Sequence, residues 1–182
     1  MGTSSALKAI ILRGPPGVGK STVRDLLRSY LGRSARHIDL DAYWGKGEWR
    51  YSQPDFRYAD LQLATEPVLL VELAWGEPAG LAFPGATKGA NEWVDILQKA
   101  KRVIYPFLLT ADWNDILKRL LDRHGHDMQT NVLDQLGRAS FYEHQHPMFN
   151  YPAIPGFTER TIDTTGRSGE SVANEIKKVT GI

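Results

Sequence analysis

The sequence predicts an α/β protein, and three observations point there. The octapeptide Gly14-Pro15-Pro16-Gly17-Val18-Gly19-Lys20-Ser21 fits the pattern G-x-x-x-x-G-K-[ST]. It lies between an apolar run of strand length, residues 7–13, and a stretch with helical periodicity. Beyond it, strand-length apolar runs and amphipathic helical stripes follow one another to the end of the chain.

The octapeptide suits a polyphosphate. Triphosphate oxygens need many donors and little steric bulk. Glycines let the backbone curl so that successive N–H groups point inward as an anion nest. A helix starting near Lys20 adds its unsatisfied N–H groups and the positive end of its dipole. Lys20 is expected on the β- and γ-phosphates and Ser21 on Mg²⁺, so Gly14, Pro15, Pro16, Gly17, Val18, Gly19, Lys20, Ser21 and Thr22 form the expected ATP-binding segment.

The 182 residues suit one domain with a substantial core. Hydrophobic residues make up 42% and charged residues 24%, ordinary for a globular chain. A net charge of +1 supplies no strong field toward nucleic acid or a membrane. With no cysteine, disulfides and thiolate-bound metals are excluded. Residues 1–5 lack the charged-then-apolar pattern of a secretion signal and no apolar run approaches membrane-spanning length, so a cytoplasmic location is expected.

In order, Val23, Leu26, Leu27, Tyr30 and Leu31 form one face of the first helix, and Gly32 is its expected stop. Residues 36–41 read as a second strand ending in acid. Ligands in open α/β sheets bind beyond the carboxyl ends of the strands, which puts Asp41 near the octapeptide. Asp41 is the expected general base for an acceptor hydroxyl. Strand alternation puts Asp39 on the same face, so one acid can serve as base and the other as a ligand to the magnesium shell; capping of the following turn competes for either. Residues 42–54 hold Tyr43, Trp44, Trp49 and Tyr51 with Lys46 and Arg50. They can stack on and hold an acceptor, or pack back on the core. Arg57, on a helix expected over 55–66, can face the same site or solvent.

Residues 68–73 read as the central strand, four apolar residues followed by Glu72. An acid inside a buried strand needs a partner, either Mg²⁺ or a neighbouring cation. A Gly- and Pro-rich loop over 74–90 has the length of a lid or binding loop. A helix follows from Asn91, then a strand over 102–109 in which Pro106 predicts an irregular end. The next helix buries Trp113, Ile116, Leu117, Leu120 and Leu121. On its other face Arg119 and Arg123 can reach a triphosphate or remain solvated, and spacing favours solvation. His124, His126, His144 and His146 form two His-x-His pairs, read as surface histidines ahead of a zinc site. A last strand over 160–164 leads to a helix capped by Ser168, with Val172, Ile176 and Val179 buried.

With these motifs in hand, the chain resembles the P-loop kinase superfamily of small phosphotransferases. The resemblance implies a three-layer α/β/α P-loop NTPase fold: a parallel sheet of about five strands, helices on both faces and a helical lid near residues 124–150. It implies one domain over 1–182 and transfer of the ATP γ-phosphate to a hydroxyl of a small-molecule acceptor (a nucleoside, a sugar or an antibiotic-like compound). Asp41 matches the general base that ends strand two in the polynucleotide-kinase-like group. That group often carries an arginine three residues later to hold a nucleic-acid phosphate. Here the position is Trp44, which weighs against a polynucleotide 5′-hydroxyl acceptor. Arg119 and Arg123 match the helix leading into the phosphate-clamping lid, implying nucleotide contact for Arg119 and a catalytic role for Arg123. The implied magnesium residues are Ser21, Asp39 and Glu72; the implied acceptor residues are Asp41, Trp44, Arg50 and Arg57. A nucleic-acid acceptor and an ATPase or switch without an acceptor stand as alternatives.

Overall fold

The computed structural model describes residues 6–15, 17–39, 61–73, 90–124 and 156–182. The loop over 42–54, Asp41, Arg57, nearly all of the 74–90 loop, the lid over 124–150 beyond His124 itself, and His126, His144 and His146 lie outside the described residues.

Among the described residues five strands carry the fold: β1 (Lys8–Arg13), β2 (Ala35–Asp39), β3 (Val68–Leu73), β4 (Val103–Thr110) and β5 (Arg160–Asp163). The helices that carry the argument are α1 (Lys20–Leu31), α2 (Ala90–Lys99), α3 (Trp113–His124) and α4 (Gly169–Thr180). The strand order is β2-β3-β1-β4-β5, every pairing parallel. The expected parallel sheet of about five strands is therefore present.

Alternation on β1 separates two cores. Ile10 and Leu12 join Val23 and Leu27 of α1, Ile116 and Leu120 of α3, and Val172 and Ile176 of α4. Ala9 and Ile11 face the opposite way, toward Leu61, Val94 and Leu97. Helices on both faces of a buried parallel sheet make the three layers.

Several local expectations shift. Pro106 lies inside β4, not at an irregular end. It sits opposite Ile11 of β1, while pairing with β5 begins only at Phe107. The missing N–H therefore falls where β4 has a neighbour on one side. Tyr30 is 62% exposed, its ring under the Lys177 ammonium at 4.1 Å, and Val179 and Leu121 are each 37% exposed. Thr180 is buried instead, donating to the Ile176 carbonyl at 2.8 Å. Gly32 closes α1 at φ 55°, and Ser168 caps α4 by accepting from the Ser171 N–H, both as expected. Arg102, read as a strand residue, is a buried tie outside β4. It donates to the carbonyls of Lys8, Ala64 and Glu66. Among the described residues no helix is long and apolar enough to cross a membrane.

Candidate active site

The loop between β1 and α1 is built by close backbone approach. Gly14 has φ 137°, and a Cβ there would meet the Leu109 carbonyl oxygen at 2.2 Å. Gly19, at φ 95°, turns the chain into the first residue of α1. Lys20 is 8% exposed and its Nζ donates to the carbonyls of Gly14 at 2.7 Å and Pro15 at 3.1 Å. The ammonium is thus held within the arc of the loop, with the α1 N-terminus beside it. Thr22 is exposed, and Pro16 lies outside the described residues.

At the carboxyl ends of β2 and β3 a polar cluster meets α1. Asp39 and Glu72 are register partners. Ser21 Oγ donates to Glu72 Oε1 at 2.6 Å, and Arg24 Nη1 donates to Glu72 Oε2 at 2.6 Å. Ser21 and Arg24 lie three apart, on one face of α1, and so grip one carboxylate by its two oxygens. His37 Nε2 stands 3.4 Å from Arg24 Nη1 and 3.7 Å from Glu72 Oε2. Ligand atoms of His37, Asp39 and Glu72 all lie within 4.8 Å of one another. Burial and then the Arg24 charge hold the His37 pKa below its ordinary value, against the pull of Glu72 and Asp39. Burial also opposes the Arg24 charge, but the hydrogen bond to Asp25 and the carboxylates of Glu72 and Asp25 outweigh it and raise its pKa.

On the other side of the loop, Arg119 of α3 donates to the Gly17 carbonyl at 3.4 Å and to Thr164 Oγ1 at 3.0 Å. It also donates to the Thr164 carbonyl at 2.6 Å and to Asp115 Oδ2 at 3.2 Å. Thr164 Oγ1 lies 3.0 Å from the carbonyls of Val18 and Thr110, and its single proton serves one of them. Asp115 accepts from the Gly166 N–H at 2.6 Å. The turn after β5, α3 and the phosphate loop are thereby one hydrogen-bonded unit.

Of the sequence-predicted residues, the structure brings together Gly14, Lys20, Ser21, Asp39, Glu72 and, through Gly17, Arg119. Arg123 is exposed, one turn beyond Arg119. Asp41, Trp44, Arg50 and Arg57 lie outside the described residues. Sequence reasoning missed Arg24 and His37, while Thr164 falls in the segment 163–168, which resembles the superfamily's adenine-side turn after the last strand. Helical spacing from Ser21 pointed to Arg24, and strand spacing from Asp39 pointed to His37. It also missed the wholly buried Arg13, whose Nε lies 3.0 Å from Glu159 Oε1.

No family model matches the chain, and no curated protein matches it in sequence. Solved structures do match. The tunicamycin resistance protein of Deinococcus radiodurans superposes with a TM-score of 0.57 at 20% identity, covering 97% of this chain and 96% of its own. This chain shares that protein's fold, a parallel α/β sheet with helices on both faces. Shikimate kinase from Acinetobacter baumannii superposes on it with a TM-score of 0.55 at 18% identity, covering 97% of this chain and 94% of its own. A gluconokinase from Sinorhizobium meliloti gives 0.54 at 15% identity, covering 92% and 88%. At these identities the likeness speaks for the fold.

Proposed function

We propose that this protein is an ATP-dependent phosphotransferase acting on a hydroxyl of a small molecule. The observation that carries the reading is the juxtaposition of Lys20, held inside the phosphate loop, with the Ser21–Glu72–Asp39 cluster at the sheet's carboxyl edge. The similarity to structures of a shikimate kinase, a gluconokinase and a tunicamycin resistance protein supports a small acceptor.

In this reading Lys20 and the loop N–H groups bind the β- and γ-phosphates and spread the charge of the transferring group. Hard oxygen donors suit Mg²⁺, and the Ser21 hydroxyl with the carboxylates of Asp39 and Glu72 form such a set. The ion supplies neutralisation of phosphate charge when bound. Asp41 orients the acceptor hydroxyl and takes its proton as the oxygen attacks in line. Arg119 borders the nucleotide, and Arg123 contacts its phosphates. Trp44, Arg50 and Arg57 hold the acceptor.

The test is label transfer from γ-labelled ATP with Mg²⁺ across nucleosides, nucleotides, 5′-hydroxyl oligonucleotides, sugars and aminoglycoside-like compounds. Label is expected on one small-molecule class, absent with Lys20→Ala and strongly reduced with Asp41→Asn. Label on oligonucleotides alone, or only as free phosphate, overturns the small-acceptor reading.

A further inference from the structure

Two successive carbonyls of the phosphate loop are held by side chains from outside it. The Val18 carbonyl lies 3.0 Å from the Thr164 hydroxyl, across 146 residues of sequence. The Gly17 carbonyl accepts from Arg119 Nη1 at 3.4 Å. The same flank packs on α3, where a Cβ on Gly17 would meet Ile116 Cγ2 at 2.8 Å. A trans peptide is planar, so its N–H points opposite to its C=O. A Val18 carbonyl held toward Thr164 therefore turns the Gly19 N–H away from Thr164. The Gly17 carbonyl, held by Arg119, does the same for the Val18 N–H. The Thr164 hydroxyl is suited to this task. The residue is 2% exposed, and its oxygen accepts from Arg119 Nη1 at 3.0 Å, which leaves the proton for a carbonyl. The other carbonyl in reach, that of Thr110 at 3.0 Å, already accepts the Thr164 N–H at 2.8 Å.

We propose that Thr164 is a positioning residue for the phosphate loop: its hydroxyl, itself oriented by Arg119, pins the Val18 carbonyl and so aims the Gly19 N–H at a bound phosphate oxygen. This deepens the phosphotransfer reading and rests on its assignment of the loop to a triphosphate. Gly19 precedes α1 at φ 95°, and its own carbonyl accepts the Val23 N–H at 2.9 Å. Its N–H is therefore next in line to the unsatisfied donors of the α1 N-terminus, and the orientation of one peptide decides whether it joins them. Glycines at 17 and 19 leave the peptides around Val18 free to rotate, which is why a tie from outside the loop matters. Donors aimed before the anion arrives lose less freedom on binding, and the anion is held more tightly for it.

The probe is inorganic tripolyphosphate, which carries the anion without a base or an acceptor. Its affinity is measured by calorimetry for the full-length wild type, Thr164→Val and Thr164→Ser proteins. Valine keeps the shape and removes the hydroxyl, while serine keeps the hydroxyl. Thr164→Val should bind about tenfold more weakly than the wild type, and Thr164→Ser within about twofold of it. At saturation the Gly19 amide proton of the wild type should move downfield, and that of Thr164→Val should move less. A purely structural role would lower the melting temperature of Thr164→Val and leave the affinity of the folded protein unchanged, and that result overturns the proposal. Equal weakening by serine and valine, or a wild type that binds no tripolyphosphate, overturns it too. If Thr164→Val does not fold, the wild-type resonance is decisive: a Gly19 amide proton that stays in place at saturation overturns the proposal. Failure of the phosphotransfer reading looks different. A wild type that shows these binding differences yet labels no acceptor from γ-labelled ATP defeats that reading and leaves the role of Thr164 standing.

Discussion

Arg119 holds Thr164 at both ends: one terminal nitrogen donates to its hydroxyl at 3.0 Å and the other to its carbonyl at 2.6 Å, across 45 residues of sequence. The same side chain reaches Gly17 of the phosphate loop. Arg119→Ala should therefore cost about 1–2 kcal/mol of stability, the scale of a few partly exposed hydrogen bonds to a charged group. It should also raise KM for ATP, because the loop and the turn after β5 lose their common tie. Denaturant melts and nucleotide calorimetry check both. Arg119→Lys should recover charge but not the two-point grip, and so should remain impaired.

Gly14 has no room for a side chain. A methyl group there would collide with the Leu109 carbonyl oxygen, and its φ of 137° is unsuited to other residues. Gly14→Ala should destabilise by about 3 kcal/mol or more, or prevent accumulation of folded protein. A urea midpoint within experimental error of the wild type would show that the loop relaxes there freely.

Arg13 and Glu159 form an ion pair whose side chains are 0% and 6% exposed. Burial pushes the Glu159 carboxyl up and the Arg13 charge pulls it back. Removing the acid alone takes the Glu159 carboxylate away from a buried guanidinium directly before the phosphate loop. Glu159→Ala should cost about 3–5 kcal/mol, while Arg13→Met/Glu159→Met should recover much of it. A double-mutant cycle in urea measures the coupling.

His37 gives stability a defined pH dependence. Its folded pKa is depressed from 6.5, chiefly by burial and then by Arg24. Below 6.5 the unfolded chain therefore takes up a proton that the folded protein resists. Stability should fall as pH drops from 6.5 toward the folded value, with no contribution from this residue above that window. Replacing His37 with Gln should flatten that part of the profile. Melting temperatures of the two proteins between pH 7 and pH 5 make the comparison.

Much of the fold was legible because it depends on local chemistry. A glycine-rich turn between a strand and an amphipathic helix signals its conformation through residue types alone, and Lys20 and Ser21 come with it. Apolar runs at residues 8–13 and 68–73 marked buried strands because only strands covered on both faces are apolar at consecutive positions. Gly32 and Ser168 marked helix ends for the same local reason. The exposed Tyr30 and Val179 were misread because periodicity reports which residues share a face, while the breadth of the buried stripe depends on what packs against it. Pro106 was misread because strand neighbours are a property of the sheet. Arg24 and His37 look like ordinary surface residues of a helix and a strand; the parallel register of β2 with β3 brings His37 to Glu72, and the packing of α1 on the sheet brings Arg24 there. The sequence alone determined the phosphate loop and its helix, because their chemistry lies within one short segment. The tertiary structure alone decided the partners of Glu72, Arg119 and Arg13, because those contacts join segments that meet only when the sheet closes.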